Sequence, residues 1–261
     1  MKLKTVTFNL RMNTMKDGIN YFFNRSPFIL KKIRDEKPDI IGFQEATRDI
    51  HRWLNANLSE YTIVGMGRNA DFGGEANPVA FRKDRFDLFG LSQFWLSETP
   101  EIPGSRYEHQ SHCPRILLSV KLRDTVTGQM LYIYNTHLDH IDAEARLLGI
   151  RQVLEAIKAD YTKSPASLFL MGDMNATPDE VSMQKVVGYD IINLLDATKS
   201  VVTTYHGYRG GSSLDPQAGN KIDYIFTNIP ERVLTAYAWE DVTGGIYLSD
   251  HYPVVCEFNL E

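Results

Sequence analysis

Cysteine is almost absent from the 261-residue sequence, which contains only Cys113 and Cys256. Two cysteines cannot form the disulfide framework of a small secreted domain, and neither belongs to a Cys-x-x-Cys metal-binding pair. The sequence also lacks any run approaching the roughly 20 apolar residues of a membrane span. Its first residues, MKLKTVTFNLR, alternate apolar and polar side chains and lack the apolar core of a signal peptide. We therefore expect a cytoplasmic protein without a membrane anchor.

Positive charge is also in short supply, because 28 Lys and Arg residues face 33 Asp and Glu residues and give a formal net charge of −5. A protein that holds nucleic acid by bulk charge has the opposite sign. An anionic substrate must therefore be bound locally, by a few cationic side chains in a compact pocket. This favours a short single-stranded nucleic acid or a small molecule over a long duplex. No feature of the sequence indicates a protein partner.

Hydrophobic patterns predict one α/β domain over residues 1–261. Ser26 and Pro27 have the pattern of a helix start and predict a helix over 28–36, and Thr47 is expected to cap a second helix. The clearest amphipathic helix is predicted over 142–161, and a capping box over 177–180 predicts a helix that reaches about residue 187. Strands are predicted by alternating or short apolar runs at 3–10, 39–44, 61–64, 78–82, 88–95, 115–122, 130–138, 167–171, 222–227, 233–239 and 253–258.

Several predicted strands end in a carboxylate, an amide or an imidazole. Singly, each such residue is usually a turn residue, a helix cap or a solvated side chain. Together, acidic residues at buried strand ends repel one another unless a cation lies between them. Oxygen ligands without cysteine favour Mg²⁺ or Mn²⁺ over Zn²⁺. The residues are Asn9, Glu45, Asn135, His137, Asp173, Asn175, Asp223, Asp250 and His251.

Six motifs, TFNLR, GFQEA, NTHLDH, GDMNATP, KIDYIF and SDHYPV, occur in this order over residues 5–254. On these motifs the sequence resembles the DNase I-like endonuclease/exonuclease/phosphatase superfamily. Segments 94–105 and 203–212 resemble a bacterial branch nearer to the nocturnin-like deadenylases than to DNase I. The resemblance implies a four-layer α/β sandwich, in which two packed mixed β-sheets are flanked by helices.

The resemblance also implies which residues form the site. Asn175 would position the attacking water and the phosphate. The implied residues fall into three groups: ligands of Mg²⁺ or Mn²⁺ (Glu45, Asn9 and Asp250), catalytic residues (Asp173, Asn175, His251, His137, Asp223 and Glu75), and residues that bind the substrate phosphate (Arg115 and Asn135).

Two carboxylate–histidine pairs are part of the implied site. Asp173 would orient or deprotonate the attacking water. His251 resembles a phosphate-contacting histidine paired with Asp223. His137 resembles a second one, paired with an upstream acid for which Glu75 is the candidate.

The implied activity is that of a Mg²⁺-dependent hydrolase that cleaves a phosphodiester of a nucleic acid or nucleotide by in-line attack of activated water. No Ser, Cys or Thr is placed as an obvious covalent nucleophile. Two alternatives remain open: a phosphomonoesterase acting on a small metabolite such as an inositol phosphate or nucleotide, and a binding module that has lost catalysis. Trp95 or Tyr205 would either stack on a base at the substrate rim or pack under a loop.

Overall fold

The computed structural model describes residues 1–260, in which four α-helices and fourteen strands are distributed along the chain. The helices are α1 (Phe22–Glu36), α2 (Arg48–Asn57), α3 (Ala143–Lys163) and α4 (Val181–Val186). The strands are β1 (Lys2–Asn9), β2 (Ile40–Gln44), β3 (Tyr61–Val64), β4 (Val79–Arg82), β5 (Phe86–Trp95), β6 (Ile116–Asp124), β7 (Met130–His137), β8 (Ser167–Asp173), β9 (Leu195–Asp196), β10 (Asp223–Thr227), β11 (Val233–Ala238), β12 (Val242–Thr243), β13 (Ile246–Tyr247) and β14 (Val254–Asn259).

Twelve of these strands form two mixed six-stranded sheets. The first sheet has the order β11-β14-β1-β2-β4-β3, and the second has the order β5-β6-β7-β8-β10-β9. In each sheet one central pair is parallel, β1 with β2 and β7 with β8. The remaining two strands, β12 and β13, form a small separate hairpin.

The two sheets pack face to face and each carries helices on its outer face. Apolar residues of α1 and α2 pack on the first sheet, where Ile29 and Leu54 share a buried cluster with Phe8. Helices α3 and α4 cover the second sheet in the same way. Between the sheets lies a third cluster that includes Ile133 and Met171. This arrangement confirms the predicted four-layer α/β sandwich.

The register of the second sheet brings three polar residues to one edge. His137 at the end of β7 lies opposite Asp173 at the end of the parallel strand β8, and Asp173 lies opposite Asp223 at the start of the antiparallel strand β10. Gly172 permits this close approach, because it has a φ of +144° and a Cβ there would lie 1.9 Å from the Thr136 carbonyl oxygen. The predicted clustering of polar strand ends therefore follows from strand pairing.

The start of α1 differs from the prediction, because the helix begins at Phe22 and Ser26 and Pro27 lie inside it. Proline has no N–H with which to bond the carbonyl of Phe23, four residues earlier. The Ser26 hydroxyl donates to that carbonyl instead, at 3.2 Å. The serine thus compensates for the proline within the helix rather than starting it.

The predicted capping box at residues 177–180 is also wrong, because α4 begins only at Val181. The Glu180 carboxylate is held by the Arg146 guanidinium at 2.7 and 2.8 Å. The Thr177 hydroxyl bonds Asp179. Glu180 therefore forms an ion pair with Arg146 of α3 instead of the bond to a backbone N–H that a capping box requires.

The other predicted elements are present with shifts of a few residues at their ends. Asp142 caps α3 with its side chain, whereas Thr47 stands at the N-cap position of α2 but its side chain makes no capping hydrogen bond. The short strands β9, β12 and β13 have two residues each and were not predicted. Within residues 1–260, the helices are too short or too polar to cross a membrane.

We predict that Asp124→Asn lowers the free energy of unfolding at pH 7 by about 3 kcal/mol, because it breaks a buried ion pair. Asp124 is fully buried and accepts hydrogen bonds from the Arg85 guanidinium at 2.8 and 3.2 Å. Burial alone would raise the pKa of Asp124, but Arg85 and nearby backbone N–H groups hold it below its usual value. Urea unfolding of wild type and variant at several pH values measures the difference.

The pH dependence has a definite sign. A carboxylate whose pKa is depressed by folding stabilises the protein above its unfolded pKa, and this stabilisation is lost as the pH falls through the folded pKa. The difference between wild type and Asp124→Asn should therefore shrink below about pH 4. Asp84→Asn, which removes an exposed partner of Arg82, is the control and should leave unfolding nearly unchanged. A constant difference from pH 7 to pH 3 would contradict the assignment.

Candidate active site

A cleft of about 430 Å³ opens where the gap between the two sheets ends. Most of the residues implied by the sequence motifs line it. Asn9 and Asp223 lie directly behind them, in contact with Asp173 or His251. The lining includes Glu45, Glu75, Arg115, His137, Asp173, Asn175, Asp250 and His251, together with Arg11, Arg68, His140 and Tyr205.

Asp173 lies at the centre of the cleft floor and is only 2% exposed. Its Oδ2 accepts a hydrogen bond from Asn9 Nδ2 at 2.9 Å and lies 3.5 Å from His137 Nε2 and 3.8 Å from His251 Nε2. Burial and the neighbouring charge of Asp223 raise the pKa of Asp173 to about 7. A carboxylate with this pKa can exchange a proton near neutral pH.

His251 is held as a cation by carboxylates on several sides. Its Nδ1 lies 2.8 Å from Asp223 Oδ2, which confirms the predicted pairing. Burial disfavours the cation, but the charges of Asp223, Asp173 and Asp250 raise the pKa of His251 well above its usual value. His251 is therefore an imidazolium that faces the cleft.

His137 differs from His251 in charge. Burial and the nearby cations Arg115 and Arg68 lower the pKa of His137 well below its usual value, so the ring is neutral. The predicted pairing of His137 with Glu75 is wrong. The Glu75 carboxylate forms an ion pair with Arg68, at 2.9 Å from its Nη1. The acid nearest to His137 is Asp173. Two histidines of opposite charge state thus flank one carboxylate.

Glu45 and Asp250 form the acidic end of the cleft. The Glu45 carboxylate accepts hydrogen bonds from the Met12 backbone N–H at 2.8 Å and from Asn9 Nδ2 at 3.1 Å. Burial alone would raise the pKa of Glu45, but these bonds and nearby cations hold it below its usual value. Burial and the charge of Glu45 raise the pKa of Asp250. Two cations lie nearby, His251 and Arg11, whose Nε is 3.7 Å from Asp250 Oδ2.

Three cleft residues have backbone conformations that are unusual for residues other than glycine. Arg11, Glu45 and Asn175 have φ values of 53°, 57° and 48°, in the left-handed region. For Arg11 and Glu45 this conformation costs about 1–3 kcal/mol each, while asparagine adopts it more readily, and strain of this kind concentrates at functional sites. The fold therefore holds these three side chains in place at a cost in stability.

The loops that carry Arg11 and Asp250 are tied together by Arg25, which is fully buried. Its guanidinium donates hydrogen bonds to the carbonyl oxygens of Leu10 at 2.8 Å, Leu248 at 2.7 Å and Arg11 at 3.1 Å. Backbone carbonyls rather than a carboxylate thus accept its hydrogen bonds. The two loops are thereby fixed relative to each other.

A cluster of Asp173, Asp223 and His251 places ligand atoms within 4.8 Å of one another. His251 Nδ1 is occupied by its hydrogen bond to Asp223, and a protonated imidazole has no lone pair for a metal. The cluster is therefore better explained as a hydrogen-bonded network, in which Asp173 and His251 line the cleft and Asp223 lies behind them.

Asn135 is not at the cleft, contrary to the prediction that it binds phosphate. It is fully buried, and its Nδ2 donates to the carbonyl oxygens of Phe43 at 2.8 Å and Asn77 at 3.1 Å while its Oδ1 accepts from Gln44 Nε2 at 2.8 Å. Asn135 shares a face of β7 with His137 but lies two residues deeper, about 7 Å from the strand end. Its amide cross-links the two sheets.

Arg115 lines the cleft, and its partners lie on the loop that follows β7. Its Nη2 lies 2.8 Å from His140 Nδ1, and its Nε lies 3.6 Å from Asp139 Oδ2. Burial and the charge of Arg115 lower the pKa of His140, so the imidazole can accept this hydrogen bond. Asp139 and His140 are the last two residues of the NTHLDH motif.

Arg68 is a cleft residue that sequence reasoning missed, as are Arg11 and His140. Arg68 lies on a short hairpin over 67–76 with several glycines, and this turn pattern was the one signal that could have drawn attention to it. Trp95, considered for base stacking, is 4% exposed and donates from Nε1 to the Arg68 carbonyl oxygen at 2.6 Å. It therefore packs under the hairpin. Tyr205, the other candidate, does line the cleft, with its ring 4.9 Å from that of His251.

Comparison with known proteins agrees with this architecture. The profile described as Endonuclease/Exonuclease/phosphatase family matches residues 6–251. A solved endonuclease/exonuclease/phosphatase from Bacteroides vulgatus is 28% identical, with a TM-score of 0.89 over 100% of both chains. A mannosyl-6-phosphatase from Bacteroides thetaiotaomicron is 26% identical, with a TM-score of 0.87 over 99% of this chain and 100% of that chain.

The human nocturnin catalytic domain, solved with a bound sulfate anion, is 19% identical, with a TM-score of 0.73 over 99% of this chain and 94% of that chain. At this identity the likeness concerns the fold.

We predict that Asp223→Asn lowers the pKa of His251, because the variant removes the carboxylate that balances its charge. Burial would then favour the neutral ring. Titration of isotope-labelled histidines by NMR from pH 5 to pH 9 measures the change. Asp160→Asn, on α3, is the control and should leave the His251 titration unchanged. An unaltered His251 titration in Asp223→Asn would show that the pair does not set its charge.

Proposed function

The chain belongs to the endonuclease/exonuclease/phosphatase family of phosphate-ester hydrolases, and we propose that it is a Mg²⁺-dependent member that activates water in the cleft described above. The observation that carries the proposal is the placement of Asp173, whose Oδ2 lies within 4 Å of both a neutral and a cationic histidine. A carboxylate so placed can take a proton from water while the cation faces the charge that develops on phosphate.

The acidic end of the cleft fits a hard divalent cation. Glu45 is ionised, and its charge raises the pKa of Asp250, so the two carboxylates repel each other. Oxygen donors of this kind match Mg²⁺ or Mn²⁺. Glu45 and Asp250 would hold the ion, with Asn9 beside them. When bound, the ion would neutralise charge on the phosphate oxygens.

The chain's own residues account for the remaining requirements of water attack. Asp173 would accept the proton of the attacking water, and Asn9 orients that carboxylate through its 2.9 Å hydrogen bond. Asn175 lies beside Asp173, with its Nδ2 bound to the Leu138 carbonyl oxygen, so its Oδ1 could orient the water. His251 and Arg115 would supply positive charge to the phosphate. This division of roles supports direct in-line attack.

Two substrate classes compete for this cleft. The sequence-based expectation is a phosphodiester, in a short single-stranded nucleic acid or a nucleotide. The alternative is a phosphate monoester of a small metabolite, and it is favoured by the likeness to a mannosyl-6-phosphatase at 26% identity over nearly the whole chain. A panel of oligonucleotides, nucleotides, sugar phosphates and inositol phosphates, assayed with Mg²⁺, distinguishes the two.

We predict that Asp173→Asn lowers kcat by at least about a thousandfold on the best substrate of that panel, because the amide cannot accept the proton of water. Stopped assays of phosphate release measure the loss. Cys113, whose thiol also lines the cleft, offers the matched control for a covalent route. Cys113→Ala should keep most activity if water attacks directly, and its inactivation together with an active Asp173→Asn would refute the proposal.

We also predict that Glu45→Gln weakens Mg²⁺ binding at least about tenfold, because it removes the ionised ligand. Calorimetric titration of the metal-free protein with Mg²⁺ measures the affinity without any substrate. Glu75→Gln is the isosteric control: Glu75 lines the same cleft but is paired with Arg68, so its variant should keep the wild-type affinity. Equal weakening in both variants would mean that general cleft charge, and not Glu45, binds the ion.

A further inference from the structure

Two buried guanidinium groups line the same cleft as Glu45 and Asp250, one on the hairpin over 67–76 and one just before β6. Arg68 and Arg115 are 8% and 3% exposed, and both line the cleft. Arg115 Nη2 is bonded to His140, but its Nε and Nη1 have no hydrogen-bond partner among residues 1–260. Leaving charged N–H groups buried and unpaired is costly. These two donors therefore point to an anionic ligand that completes the site.

Arg68, which lines the same cleft as Arg115, is held rigidly. Its Nη1 lies 2.9 Å from Glu75 Oε2, its backbone N–H donates to the Glu75 carbonyl oxygen at 3.0 Å, and its own carbonyl oxygen accepts the Trp95 indole N–H. A guanidinium fixed at both its head and its backbone loses little conformational freedom when a ligand binds. The hairpin over 67–76 thus presents a preorganised donor.

Two carboxylates, Glu75 and Asp139, lie close to these guanidinium groups. Burial raises the pKa of Glu75, and the imidazoles of His137 and His140 are neutral. Asp139, 3.6 Å from Arg115 Nε, is the remaining close carboxylate. Arg115 nevertheless keeps Nε and Nη1 without a hydrogen-bond partner among residues 1–260, and a monoester offers one terminal oxygen more than a diester to accept from such donors.

We propose that Arg68 and Arg115 together bind the terminal oxygens of a phosphate monoester, and that this pair makes the cleft select monoesters over diesters. The inference rests on the proposed function and names its substrate class. A monoester carries about −1.5 to −2 charges and three terminal oxygens near pH 7, whereas a diester carries one charge and two. Guanidinium forks match such oxygens in pairs.

The same geometry opposes a diester. Its second ester group would stand where the monoester has its third terminal oxygen, facing buried donors that need a charged acceptor. An ester oxygen accepts hydrogen bonds poorly, so Arg115 or Arg68 would remain unpaired, and a site with unpaired donors rejects a ligand strongly. A preference for phosphodiester substrates, which is the sequence-based expectation, would therefore overturn the proposal.

The test compares two probes with the same leaving group, 4-nitrophenyl phosphate and its methyl diester, in the presence of Mg²⁺. Wild type should have the higher kcat/KM on the monoester. Arg68→Gln should lower kcat/KM on the monoester by about 10- to 100-fold, the range for a lost charge-assisted hydrogen bond, and change that on the diester less than about threefold. Arg68→Lys keeps the charge but loses the forked pair of donors, so its kcat/KM on the monoester should lie between those of wild type and Arg68→Gln.

Controls separate specificity from folding. Arg151→Gln, at an exposed position on α3, should leave both rates and their ratio unchanged. Inorganic phosphate should raise the melting temperature of wild type and of Arg151→Gln but have little effect on Arg68→Gln, a readout that needs no turnover. Equal losses on both probes, or phosphate binding that is unchanged in Arg68→Gln, would overturn the proposal.

Failure of the proposed function has a different signature. Wild type would then release 4-nitrophenol from neither probe, and Asp173→Asn would be equally inactive. The phosphate titration would still report on the arginine pair, because binding does not require Asp173 to act as a base. A wild type that prefers the diester would leave hydrolysis established and overturn only the monoester selection.

Discussion

The pairing of β8 with β7 on one side and β10 on the other is the constraint on which the site depends. It places His137, Asp173 and Asp223 in one row across three strands, with their side chains on the face between the sheets. Because side chains alternate between faces, a slip of one residue would turn Asp173 towards the helices and remove it from the cleft. This register requires a glycine at position 172, because a Cβ there would lie 1.9 Å from the Thr136 carbonyl oxygen.

Buried charges of both signs line the cleft. Glu45 and Asp250 contribute negative charge, and Arg68 and Arg115 contribute positive charge. Buried groups of like charge repel each other, which lowers the stability of the folded protein. A ligand of opposite charge can relieve that repulsion. The different charge states of His137 and His251 follow from their neighbours: burial, Arg115 and Arg68 keep His137 neutral, and nearby carboxylates keep His251 protonated.

The strand pattern and the motifs predicted the sandwich and most of the cleft, because polar residues at strand ends keep their positions once the strands pair. They could not predict depth along a face, which is why Asn135 was placed in the cleft although it lies between the sheets. The sequence also did not indicate which side chains in the loops pair with each other. Glu75 was expected to hold His137 but holds Arg68, and that pairing depends on a hairpin whose shape no local periodicity encodes.

The neighbouring positions of β1 and β14 in one sheet have a consequence for how the protein is made. Asn9 and Glu45 leave the ribosome early, but Asp250 and His251 follow only after some 200 further residues. At about 5–20 residues per second, the cleft stays incomplete for on the order of ten seconds or more. A nascent chain therefore cannot turn over substrate, and β1 must wait for its antiparallel neighbour before the first sheet is complete.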